Sequence, residues 1–63
     1  MLEIVKRRII ETTLALVKDR KRLVYFTLET NLQIYKILTK ESYPIDELMD
    51  MGLSEETVKI LMK

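Results

Sequence analysis

The sequence contains no cysteine and no histidine, and only one glycine and one proline, in 63 residues. Without cysteine there is no disulfide and no thiolate metal site. Without histidine the commonest metal ligand and the usual general base are both missing. A single glycine leaves no Gly-rich phosphate loop. We therefore expect no cofactor and no enzymatic catalysis. No apolar run approaches the roughly 20 residues of a membrane span, and Glu3, Lys6, Arg7 and Arg8 break up any signal-peptide core. The expectation is a soluble, cytoplasmic protein with no membrane partner.

What is present is apolar: 48% of the residues are hydrophobic. A chain this short makes one small domain at most, and its core needs support. Disulfides and thiolate metal sites are excluded, so oligomerisation remains, and a homodimer or an obligate protein partner is expected. The net charge of +1 conceals an asymmetry. Residues 1–22 carry seven basic and three acidic side chains, a balance of +4, whereas residues 43–63 carry two basic and five acidic ones, a balance of −3. Such a chain can attract an anionic partner at one end and a cationic one at the other.

Leu2, Val5, Ile9, Thr13 and Leu16 recur every three or four residues, which predicts an amphipathic helix over about 2–19. Ile10 and Val17 widen its apolar face, while Ile4 and Leu14 stand apart as a second contact surface. Arg20 would fall on the apolar face of a straight continuation, so the helix should end near Lys18–Arg22; one long bent helix over 2–41 is the rival. The run Leu23–Leu28 is rich in strand-forming residues, but the chain offers no second strand, so it reads as the buried opening of a helix over 23–41. A strand paired with its own copy across a dimer is the alternative. Leu28, Leu32, Tyr35 and Leu38 form one stripe of this helix, with Ile34 and Ile37 beside it. The capping-box spacing of Thr30 and Gln33 would instead start the helix there. Ser42 and Pro44 suit the entry to a third helix over about 44–51. Gly52 suits a left-handed stop, and Ser54 suits the cap of a fourth helix ending near Met62.

The acids Asp46, Glu47 and Asp50 match the spacing of a shared cation or proton site, but the positive end of a helix dipole accounts for their placement. Met51-Gly52-Leu53-Ser54-Glu55-Glu56-Thr57-Val58 resembles the turn and recognition-helix start of helix-turn-helix DNA-binding proteins, with Gly52, Leu53 and Val58 in the matching places. That resemblance implies DNA binding. The chain departs from the family in the bulky Leu48 four residues before the glycine, and Glu55 and Glu56 would meet phosphates. Leu48–Glu56 also resembles the first hairpin of ubiquitin-associated domains, with Leu53 in place of the contacting aromatic residue.

The fold expected is all-α: a helical hairpin over 1–41 and a helix–Gly–helix unit over 42–63, together a small bundle that dimerises. The function expected is a non-enzymatic regulatory protein that binds another protein through an apolar, Met-rich surface at Met49, Met51, Leu53, Glu55 and Glu56. The alternative is a DNA-binding regulator whose phosphate contacts come from Lys6, Arg7, Arg8, Lys18, Arg20, Lys21 and Arg22, with Tyr25 and Phe26 available to stack on bases.

Overall fold

The computed structural model describes residues 1–62 and is helical, with no strand among them. Helix α1 spans Leu2–Lys18 and α2 spans Arg22–Thr39. They run antiparallel and share the largest interface in the molecule. The inner face of α1 buries Val5, Ile9, Thr13 and Leu16, as their spacing predicts. Asp19 is extended, with φ −150° and ψ 111°, and its N–H donates to the Ala15 carbonyl at 2.8 Å. The chain therefore leaves helical geometry before Arg20 can enter the core, and the long bent helix is ruled out.

The run Leu23–Leu28 is helix, not strand. A helix puts Val24, Tyr25 and Leu28 on one face, where they meet the core, while Leu23 and Phe26 stay outside. Thr30 therefore lies in the middle of α2 and caps nothing. Leu38 is 47% exposed and does not join the inner stripe of Leu28 and Leu32. The helix stops at Lys40, a left-handed residue at φ 63° and ψ 17°. No glycine relieves that conformation. Instead the Thr39 hydroxyl donates to the Tyr35 carbonyl at 2.9 Å and accepts from the Glu41 N–H at 3.1 Å, which holds the turn.

The connection buries Tyr43, whose ring meets Tyr35 edge-on at 5.1 Å. Ser42 stays exposed, and Pro44 takes the N-cap position of α3, Ile45–Asp50, so Ser42 is not the cap expected. At the end of α3 the Gly52 N–H donates to the Met49 carbonyl at 3.0 Å, and the Leu53 N–H to the Leu48 carbonyl at 3.3 Å. These are the paired bonds of a Schellman stop, and Gly52 supplies its positive φ of 116°. Leu48 and Leu53, the two apolar residues such a motif brings together, are both buried. Ser54 then caps α4, Glu55–Leu61, by accepting from the Thr57 N–H at 3.3 Å.

Val58 and Leu61 of α4 close the core over α2. Residues from all four helices, Tyr43 and Leu53 form one cluster. The radius of gyration is 10.5 Å, against about 10.6 Å for a compact chain of this length. Two flaws sit inside: the hydroxyls of Thr13 and Tyr25 are buried and have no hydrogen-bond partner among the described residues.

Candidate protein-binding surface

The residues singled out in the C-terminal unit divide between core and solvent. Leu53 is 5% exposed, held inside by the Schellman stop. Met51 is partly buried against the core, whereas Met49 is 40% exposed. Glu55 and Glu56 are exposed, and Glu55 lies 3.5 Å from Lys59 one turn on. The exposed apolar residues of this unit are thus Ile45, Met49 and Ile60, set among acids, rather than a methionine-lined groove. Among the described residues no group of three or more His, Cys, Asp or Glu side chains is placed to hold a metal ion, Asp46, Glu47 and Asp50 included.

The seven cations are all exposed but do not form one patch. Lys6, Arg7 and Arg8 are consecutive on α1, so their side chains leave the helix about 100° apart. Lys18, Arg20, Lys21 and Arg22 gather where α1 hands over to α2, about 16 Å along the axis from Arg7. Tyr25 packs against the core and Phe26 is 53% exposed, so the two aromatic rings do not present one stacking platform.

A charge-poor apolar surface lies elsewhere, on the outer face of α2. From Leu23 to Thr39 the helix carries only two charges, Glu29 and Lys36. They follow Arg22 at seven-residue intervals and so share one line along the helix. The rest of the outer circumference is uncharged. It exposes Leu23 (77%), Phe26 (53%), Ile34 (37%) and Ile37 (75%), with Leu38 and Thr27 at its edge. Their spacing is symmetric about the exposed Thr30. Leu23 and Ile37 stand seven residues to either side of it, and Phe26 and Ile34 four. At 100° per residue all five fall within about 80° of the helix circumference.

This face was hidden from the sequence reading because it overlaps the inner stripe in residue type. What separates the two is the line of charges at 22, 29 and 36, with apolar residues on both sides of it. The exposed large apolar residues of α1 are by contrast Ile4, Ile10, Leu14 and Val17, interspersed with Glu3, Arg7, Glu11 and Lys18; Ile10 and Val17, expected to widen the inner face, lie at its margin and are each 42% exposed. No helix is long and apolar enough to cross a membrane among the described residues. In comparisons with protein-family models, curated proteins and solved structures, this chain matches none.

Proposed function

We propose that this chain is a small, non-enzymatic regulatory protein that dimerises along the outer face of α2 and acts by binding another protein. The observation that carries the reading is the charge-free stripe centred on Thr30. A stripe with symmetric spacing is self-complementary about a two-fold axis, the commonest symmetry of soluble oligomers. In an antiparallel pair Leu23 would meet the partner's Ile37, and Phe26 the partner's Ile34. Thr30, the smallest of the five, would sit on the axis and let the two backbones approach.

The areas fit. The stripe exposes on the order of 500 Å² of apolar surface per copy, at the upper end of what monomers leave uncovered and approaching the roughly 800 Å² per partner of a standard interface. The total accessible surface is 4858 Å², above the roughly 4250 Å² expected of a monomer of this mass. Dimerisation would supply the burial that a 63-residue core lacks. The target protein would then meet the acidic outer surface of the C-terminal unit, at Met49, Glu55 and Glu56. The DNA-binding alternative is less well supported, because α4 offers two carboxylates where a recognition helix meets phosphate, and the cations are divided between two sites.

Sedimentation of the purified protein over a range of concentrations tests the reading. A dimer is expected that Ile37→Lys converts to a folded monomer, because Ile37 is exposed. Cysteine pairs then test the symmetry in a chain that has no cysteine of its own. Thr30→Cys should crosslink readily and Leu23→Cys alone should not, since Leu23 faces Ile37. A wild type that stays monomeric throughout sinks the proposal, and efficient crosslinking of Leu23→Cys to itself replaces the antiparallel pair with a parallel one.

A further inference from the structure

A cleft of about 570 Å³ opens at the tip of the hairpin, between the end of α1, the start of α2 and α4. Its walls are mainly apolar, formed by Leu16, Tyr25, Phe26 and Ile60, with Thr57 as a polar member. The volume falls within the range of small-molecule sites, and it is large for a protein of 7.5 kDa. The rim carries Arg20, Lys21 and Arg22. Lys21 has a loose, exposed ion pair with Asp19 at 3.6 Å. Arg20 and Arg22 have no carboxylate within 4 Å among the described residues.

The local backbone adds to that charge. The N-cap of α2 is Lys21, whose side chain cannot accept a hydrogen bond, and the first turn contains no acid. The positive end of an 18-residue helix dipole is thus left uncompensated, with three cations beside it. Cations at that position raise the energy of the free protein, and an anion bound among them would lower it.

We propose that this cleft binds an amphiphilic carboxylate, with an acyl chain against Leu16, Phe26 and Ile60 and its head group among Arg20, Lys21 and Arg22. The apolar walls select the chain, and the rim selects the charge. A bound chain would also span the hairpin tip and α4, so binding should raise thermal stability. The site shares Phe26 with the proposed dimer stripe, so decanoate binding is measured in the stripe-breaking variant Ile37→Lys as well as in the wild type.

The test uses decanoate, decanol and anionic phosphatidylglycerol vesicles as probes, with thermal unfolding and direct binding as readouts. Decanoate at a hundredfold excess over its Kd should raise Tm by about 10 °C or more, and the effect should weaken as salt is added. The variant Arg20→Gln, Lys21→Gln, Arg22→Gln should lose at least about tenfold in decanoate affinity and remain folded, because all three side chains are exposed. Ile60→Gln should weaken decanoate binding while keeping the salt dependence. Ile37→Lys, which breaks the stripe and frees Phe26, should bind decanoate at least as tightly as the wild type does, and weaker binding would overturn the proposal. Equal effects of decanol and decanoate would overturn the proposal, since charge would then play no part. Binding to vesicles without binding to free decanoate would overturn it in favour of a membrane surface. No response to any probe would overturn it outright.

Discussion

The hairpin and the C-terminal unit are made of the same secondary structure by different means. In the hairpin, helices of 17 and 18 residues have no side-chain caps at their N-termini and stop at Asp19 and at a left-handed lysine. They persist because their inner faces pack over their whole length. In the C-terminal unit the helices have six and seven residues, too short to be stable alone. Each of its ends that matters is fixed by local chemistry: acids at the starts, a Schellman stop at Gly52, a cap at Ser54. Long helices here tolerate poor ends because packing decides, and short ones cannot.

That contrast can be broken at five points. The largest loss should follow Ile9→Ala, a fully buried residue at the centre of the hairpin interface. A cost of about 3–4 kcal/mol is expected, against a total of roughly 3–9 kcal/mol for a chain this size. Denaturant melts should show most of the cooperative transition gone. Next is a titration at the junction. Burial, reinforced by the neighbouring Glu47 carboxylate, pushes the Tyr43 phenol up to about 12 from the usual 10. The folded state thus holds the proton more tightly than the unfolded chain. Its stabilisation is complete below pH 10 and is lost as pH rises through 12, on the order of 2 kcal/mol in all. Tyr43→Phe should flatten that part of the pH–stability curve relative to wild type.

Gly52→Ala should cost about 2 kcal/mol, because φ is 116° and the added Cβ would lie 3.0 Å from Val17 Cγ1. Repeating it in a Val17→Ala background separates the steric part from the backbone part, since only the first should be relieved. Ser54→Ala should cost about 1 kcal/mol by removing the only side-chain N-cap among the described helices. If Ser54→Ala costs nothing, the claim that short helices depend on their ends is wrong. The smallest effect has the opposite sign. Lys40→Gly should gain up to about 1 kcal/mol by relieving a left-handed lysine, and chemical melts of the pair would measure it.

The same division explains what the sequence disclosed. Gly52, Ser54, Asp46 and Glu47 act through chemistry within a few residues, so the ends of α3 and α4 were legible to within about one position. The inner face of α1 was legible because one period dominates it. The outer face of α2 was not. Leu38 and Leu32 are identical in type, and only the placement of α1 and α4 decides which of them is covered. Leu53 misled for a related reason. A leucine after a glycine turn reads equally as an exposed contact and as the apolar half of a Schellman stop, and the hydrogen bond from its N–H to Leu48 identifies the second. The hairpin-tip cleft had no signal beyond its cations, since its walls come from three helices.

The approach of Gly52 to Val17 has a consequence for how the protein opens. It ties the turn between two short helices to the end of α1, while the rest of the C-terminal unit rests on α2 through α4 and on the shared core through Leu48 and Leu53. A unit whose helices touch the hairpin less than the two hairpin helices touch each other should detach as one body while the hairpin stays formed. Amide hydrogen exchange would then show residues 45–61 losing protection together, at a lower free energy than the centres of α1 and α2. Such a detachment would uncover Val58 and Leu61 briefly and make the acidic unit an arm that can leave the hairpin without unfolding it.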